Sequence, residues 1–388
     1  MRRVAITGVG VVSPVGIGQD AFWQGLLRPQ PTGERRVNDF DPSRYYDDPK
    51  AIRRADRFEQ FAMASAREAL AQAGPLAAAP DRVGVLVGTG IGGADVHEEQ
   101  TQVLLEKGAR RVSPFTVPMM MANAAAAAIS IEWGFQGPCE TVATACATGT
   151  HAIGQATRWI QWGLCDAVLA GASEAAMTPV SIASFGNMKA LSPSGHSRPF
   201  DVERDGFVIA EGAAVVVLEE WEQAKARGAR ILAEMKGSAS LADAHHITAP
   251  APGGVGAHRC MLRALEDARL SPRDIAHVNA HGTSTELNDE GEALGIAQLF
   301  GTPGPVVTSI KGVTGHSLGA AGAIEAVAVV LSMQRGLIPP TDGLAQLDPK
   351  LPKIDVVMGV PREWTPGPSL SNSFGFGGHN GTLVLAPA

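Results

Sequence analysis

Several things are scarce in this sequence. Only four of its 388 residues are cysteine (Cys139, Cys146, Cys165 and Cys260), and no two of them form a CxxC pair. That removes a paired-thiol redox or metal motif, and a disulfide framework is out of place in so long a chain. The thiols are read as reduced, in a soluble cytoplasmic protein. Aromatic residues make up 5 % of the chain, too few for an aromatic-rich β sandwich. Positive charge is not in excess: the formal net charge is −7, which argues against a nucleic-acid surface, since that needs a basic stripe. No uninterrupted apolar run reaches the roughly 18 residues of a membrane-spanning helix, so no membrane partner is expected. The opening MRRVAITGVGVVSPVG sets two arginines before an apolar run, as a signal peptide does, but Gly8, Gly10 and Pro14 interrupt it. A buried strand is the better reading.

What is present is apolar and small. Hydrophobic residues form 45 % of the chain, which has 45 glycines and many alanines, and its length suffices for a large core. Short Val/Ile/Leu-rich runs (RVAITGVGVV, RVGVLVGTG, CDAVLAGAS, AAVVVLEE, ILAEMKGSA, HVNAHGT, PVVTSIKG, IDVVMG, TLVLAPA) read as strands. Between them, 58–73, 147–162, 255–269 and 319–335 have helical spacing. Apolar strands alternating with helices indicate an α/β protein with sheets covered on both faces. A repeat of roughly 20 to 50 residues is missing, which excludes a solenoid. Strand–helix–strand blocks recur in both halves, with a boundary near 225–240. Two irregular stretches, 28–57 and 186–207, are too long for plain connectors and read as functional or covering loops.

Cys146 stands out, because TVATACATGTHAIG (141–154) puts it between a tight turn and a helix. There it would face unpaired backbone N–H groups and the positive helix end, which favour the reactive thiolate. The competing reading is a small buried hydrophobe, the usual fate of a free cysteine. Cys139, Cys165 and Cys260 lack such a setting and are read as structural. His281, in VNAHGTST, and His316, in SIKGVTGHSLGAAGAIEAV, each follow a strand and lie near Gly-rich turns, where open α/β sheets gather ligands. Either alone reads as a structural, hydrogen-bonded histidine. Lys311 and Glu325 flank His316 and are read either as an ion pair closing a dry site or as two separate solvated charges. In SNSFGFGGHNGTLVL, Gly375, Gly377 and Gly378 allow a backbone N–H to approach a ligand. GTGIGG (88–93) is superficially like a phosphate loop, but it fails the GxGxxG spacing and lacks a Walker lysine.

Taken together, the motifs VAITGVGVVSPVG, GTGIGG, SPFTVPMMMAN, TACATG, RPFDVERDGFVIAEGA, DAHHITAP, NAHGTST, KGVTGHSLGAAGAIE and NSFGFGGHNG, in this order, resemble the β-ketoacyl-acyl carrier protein synthases. The likeness is to the synthase II branch and to ketosynthase subunits of type II polyketide systems, and it covers nearly the whole chain. It implies a thiolase-like fold, two similar α/β halves (1–230 and 231–388) in a five-layered α-β-α-β-α sandwich. By position it implies Cys146, His281 and His316 as the catalytic set, with Lys311 and Glu325 as supporting lysine and acid. The N–H groups of Cys146 and Phe376 would form an oxyanion hole, Phe374 and Phe376 would gate it, and Thr283, Thr285 and Thr248 would contact the pantetheine arm. The implied reaction is decarboxylative condensation of an acyl group on Cys146 with a malonyl thioester. It calls for no metal or redox cofactor, the substrates riding on the phosphopantetheine of acyl carrier protein. The implied partners are that carrier and a dimer mate, either an identical subunit or a chain-length-factor paralogue. Arg53, Arg54 and Arg57 fall in the family's carrier-docking region; the other reading is a solvated face paired locally with Asp56 and Glu59. His379 stands where many relatives carry threonine. Two other functions remain: a non-catalytic partner subunit, which would lack the cysteine, and a cysteine hydrolase, which would admit water to the acyl-enzyme.

Overall fold

In the computed structural model, which describes residues 1–29 and 32–388, the first predicted strand is a strand from end to end. Val4–Ser13 (β1) has all ten residues buried, so both faces are covered. The first half continues with helix α1 (Arg57–Ala73), β2 (Val83–Gly88), α2 (Ala124–Trp133), β3 (Cys139–Glu140), α3 (Thr148–Gln161), β4 (Ala167–Glu174) and β5 (Gly212–Glu220). The second runs β6 (Ala233–Ala242), α4 (Val255–Ala268), β7 (His277–Asn279), α5 (Glu286–Phe300), β8 (Val306–Thr308), α6 (Ala321–Arg335), β9 (Asp355–Val356), β10 (Ser369–Gly375) and β11 (His379–Pro387).

The halves repeat one topology. Spatial order is β3-β2-β4-β5-β1 in the first and β8-β7-β10-β11-β6 in the second. In each, the successive pairings are parallel, parallel, antiparallel, antiparallel. The short β9 extends the second sheet alongside β8. Three pairs, Val4↔Met235, Ala5↔Glu234 and Ile6↔Ala233, join the sheets edge to edge through β1 and β6.

Side-chain alternation makes the layers. On β5, Val216 and Leu218 enter the central core, whereas Val215 and Val217 enter the outer one, the period of two that a pleated strand imposes. The central core packs Ile153 and Ile160 of α3 and Ile324, Val327 and Val330 of α6 between residues of both sheets. Each such side chain contributes about 1.5–3 kcal/mol on burial. Helices α1 and α2 cover the outer face of the first sheet with Phe58, Phe61 and Ile129. Helices α4 and α5 cover the second with Met261, Leu265 and Ile296. The result is the thiolase-like α-β-α-β-α sandwich. The segment Leu318–Arg335 is long and apolar enough to pass for a membrane span by length and composition, yet 89 % of it is buried. It is the central layer.

The two central helices touch backbone to backbone. A Cβ on Gly149 would lie 2.5 Å from the Ala323 nitrogen, and one on Gly322 would lie 2.8 Å from the Thr150 nitrogen. Their entrances also match. Ala145 and Leu318, each three residues before its helix, both have φ near 49°. A non-glycine residue there costs on the order of 1–3 kcal/mol, strain that clusters at functional sites.

Candidate active site

The strained turns of α3 and α6 and the loops after β2, β7 and β10 open onto one cavity of about 370 Å³. Cys146, His281, Thr283, Thr285, Thr248, His316, Phe374 and Phe376 all line it. The turn carrying Cys146 is self-fastened: Thr148 Oγ1 accepts from the Thr144 nitrogen at 2.8 Å and donates to the Ala145 carbonyl at 2.7 Å. Gly375 allows a close approach, because a Cβ there would sit 3.0 Å from both the Cys146 nitrogen and the Thr144 carbonyl oxygen and push them back by a few tenths of an ångström. That approach lets the backbone N–H of Phe376, with that of Cys146, hydrogen-bond towards the thiol.

Cys146 Sγ lies 3.0 Å from His316 Nε2. The His281 ring stands 5.4 Å from the His316 ring, nearly perpendicular to it, and 5.9 Å from Phe374. Lys311, 1 % exposed, reaches in behind His281. Its Nζ donates to the His281 carbonyl at 2.7 Å, lies 3.2 Å from His281 Nδ1 and pairs directly with Glu325. An ammonium has only donors, so His281 Nδ1 must accept, and the ring proton is placed on Nε2. Glu292 on α5 holds this loop from below, accepting from the His281 and Gly282 nitrogens at 2.8 Å each. Asp289 does the same for Ser284 and Phe200. Neither carboxylate was singled out in the sequence. Their signal was two acids three residues apart in the helix after a His-Gly turn.

Burial governs the titration. It pushes the Cys146 thiol up to about 12, against the pull of Lys311 and the two backbone amides. The helix-end setting read from the sequence, which favours the thiolate, exists, but desolvation outweighs it. Burial, and then Lys311, hold His281 and His316 well below the usual histidine range, so both are neutral. Glu325 is raised to about 7 by burial, which Lys311 opposes. Donor atoms of Cys146, His281 and His316 lie within 4.8 Å of one another, close enough to hold a soft metal ion. The Lys311 ammonium beside His281 repels a dication there.

The remaining expectations divide. Thr283 and Thr285 hydroxyls bond to each other at 2.8 Å, and the Thr248 nitrogen donates to His246 Nδ1. Gly377 and Gly378 tie the loop after β10 to the 243–248 loop through Ile247 and Asp243. His379 opens β11 opposite Gly375. Arg53 and Arg54 are exposed, Arg54 lying over the Phe115 ring at 4.6 Å. Arg57 is a correction: its guanidinium turns inward to bind buried Glu211 at 2.8 and 3.0 Å and the Val37 carbonyl at 2.7 Å, so it is not a free docking charge. Asp56 and Glu59 do not pair with it either; they form the capping box of α1.

The chain matches the family models for the beta-ketoacyl synthase N-terminal domain over residues 28–224 and C-terminal domain over 232–345. It is 44 % identical to 3-oxoacyl-(acyl-carrier-protein) synthase 2 of Synechocystis sp., covering 99 % of this chain and 98 % of the relative. Among solved structures it is similar to the ishigamide ketosynthase/chain length factor (33 % identity, TM-score 0.92, 100 % and 99 % of the two chains covered). It is also similar to a type II polyketide synthase acyl-carrier protein in complex with its ketosynthase bound to the hexaketide (31 %, TM-score 0.89, 100 % and 99 % covered). With both family models matched and a relative 44 % identical over nearly the whole length, around a buried thiol, two neutral imidazoles and a buried lysine, the chain belongs to the β-ketoacyl synthase family.

Proposed function

We propose that this protein is a 3-oxoacyl-acyl carrier protein synthase that lengthens an acyl chain by two carbons through decarboxylative Claisen condensation. The observation that carries the reading is a thiol 3.0 Å from one imidazole and beside a second whose tautomer Lys311 sets. Cys146 Sγ attacks the acyl thioester carbonyl while its proton passes to His316 Nε2. The carrier's sulfur leaves with that proton, and an acyl-Cys146 remains. The N–H groups of Cys146 and Phe376 face the developing oxyanion; a single such donor is worth about 3 kcal/mol of barrier.

In the second half-reaction the malonyl carboxylate bond breaks and carbon dioxide departs. The electron pair moves onto the thioester as an enolate, whose oxygen accepts from His281 Nε2–H and from His316. Among the described residues His316 Nδ1 has no hydrogen-bond partner, so neither tautomer of that ring is pinned and it serves both half-reactions. The enolate carbon attacks the acyl carbonyl, the bond to Cys146 breaks, and the thiolate takes a proton from solvent. The electrons come from the malonyl C–C bond, so no redox group or metal is required.

Substrates arrive on the phosphopantetheine of acyl carrier protein, with Thr248, Thr283 and Thr285 along the arm and Arg53 and Arg54 docking the acidic carrier. The protein works as a dimer across the free edge of β3, whose Cys139 and Glu140 are exposed, next to exposed Ile131 on α2. An unpaired strand edge flanked by apolar surface favours such pairing. The mate is an identical subunit or a chain-length-factor paralogue. Incubation with acyl- and malonyl-loaded carrier tests the reading: a product two carbons longer supports it, whereas bare hydrolysis or no turnover overturns it.

A further inference from the structure

We propose that Glu174 is a positioning residue for the condensation: its carboxylate clamps the turn after His316 to the Gly90–Ile91 loop, setting both the placement of His316 and the shape of the cavity wall. The inference rests on the condensation reading for its kinetic consequence.

Glu174 ends β4, is fully buried and lines the cavity with Gly90, Ile91 and Leu318. Oε1 accepts from Thr89 Oγ1 at 2.9 Å and the Ile91 nitrogen at 3.2 Å. Oε2 accepts from the Gly90 nitrogen at 2.8 Å and the Gly319 nitrogen at 3.0 Å. Each oxygen thus takes two donors and none of the four contacts needs an O–H, which fits the ionised form. Two glycines make the clamp sterically feasible, since a Cβ on either Gly90 or Gly319 would lie 2.6 Å from Glu174 Oε2. The duplication of the fold explains the location. Leu318 and Gly319 stand to α6 as Ala145 and Cys146 stand to α3, so the amide that in one half faces the thiol faces a carboxylate in the other. A carboxylate is well placed at that positive helix end.

His316 has few other anchors. Its nitrogen donates to the Val208 carbonyl at 2.7 Å and its carbonyl accepts from Ala210 at 3.0 Å, fixing the approach to the turn. Its ring packs edge-on against Phe207 at 5.1 Å, and its Nδ1 is unpartnered among the described residues. The exit, through Ser317 and the positive-φ Leu318, is held by Glu174 at Gly319. The negative charge also disfavours the thiolate of Cys146, an effect that a purely structural prop would lack.

The test compares Glu174→Gln, Gly319→Ala and Thr89→Val with wild type. In Glu174→Gln the amide N–H₂ replaces an acceptor facing two donors. We expect malonyl decarboxylation kcat to fall about 10²-fold, the cost of roughly 1 Å of misplacement, with KM little changed and acyl-chain preference broadened. Iodoacetamide alkylation of Cys146 should shift to lower pH, because the opposing charge is gone. Gly319→Ala, which pushes the turn off the carboxylate but keeps the charge, should lower kcat without that shift; Thr89→Val should do so more weakly. Wild-type kcat and an unshifted alkylation profile in Glu174→Gln overturn the proposal. If that variant does not fold, wild-type kcat in folded Gly319→Ala overturns it instead. Alkylation does not need condensation, so a wild-type enzyme that fails to elongate would refute the condensation reading separately.

Discussion

Replacing Lys311 with methionine separates stability from catalysis. The lysine is fully buried, and its Nζ serves Glu325, the His281 carbonyl and His281 Nδ1. Lys311→Met leaves the Glu325 carboxyl buried with neither oxygen partnered, since Oε2 already lacks a partner among the described residues. Removing one member of such a pair costs about 3–5 kcal/mol. Changing both members, Lys311→Met with Glu325→Leu, removes the stranded charge, and apolar replacement of a buried pair is often neutral or stabilising. Denaturant melts should therefore show a large loss for the single variant and recovery in the double. Activity should not recover. Without the ammonium, His281 Nδ1 has no donor to keep the proton on Nε2, and loss of a tautomer-setting partner costs about 10²–10⁴-fold in turnover. The assay is carbon dioxide release from malonyl-loaded carrier. A stable double variant that decarboxylates at the wild-type rate would refute the tautomer argument, whatever its melting curve shows.

Other outcomes follow from single contacts. Gly375→Ala places a methyl 3.0 Å from the Cys146 nitrogen and should abolish the acylation burst, measured by rapid quench, while circular dichroism stays native; a normal burst would remove Gly375 from the account. Arg53→Glu with Arg54→Glu should slow reaction of carrier-borne substrates but not of small thioesters, with the same selectivity under salt, since exposed charges beyond about 10 Å are screened near 0.1 M. Equal losses on both substrate types would point to folding instead. His277 is buried with both ring nitrogens unpartnered among the described residues, and burial pushes it down to about 3. Its folded value lies below the unfolded one near 6.5, so the unfolded chain binds the extra proton between them. Stability is full above about pH 6.5 and falls towards pH 3, by up to about 1.4 kcal/mol per pH unit from this residue. His277→Leu should flatten that limb in pH-dependent melts, and an unchanged limb would assign the acid sensitivity elsewhere.

Helices were legible because their apolar spacing and ends are local: 58–73 became Arg57–Ala73 and 255–269 became Val255–Ala268. Cys146, His281 and His316 were legible because each sits beside small residues at a strand or helix end. Their convergence was not, since His316 lies 170 residues from Cys146 and meets it only because α3 and α6 pack through Gly149 and Gly322. Arg57 misled because sequence counts charge without showing where a long side chain folds; only the structure shows it committed to Glu211. Glu174 went unremarked because three of its four donors are backbone amides, of Gly90, Ile91 and Gly319, and sequence does not show that these loops meet it. The balance of effects on the Cys146 thiol was hidden for the same kind of reason. The helix end is visible in sequence, whereas the depth of burial that overrides it is a tertiary property.

The most direct test of the central claim is peptide mass spectrometry after brief incubation with acyl-loaded carrier and no malonyl donor. One acyl group per chain is expected, on the peptide carrying Cys146, lost when malonyl carrier is added and recovered in a product two carbons longer. An acyl group on Cys139, Cys165 or Cys260, or an adduct on Cys146 that malonyl carrier discharges only as the free acid, would contradict it.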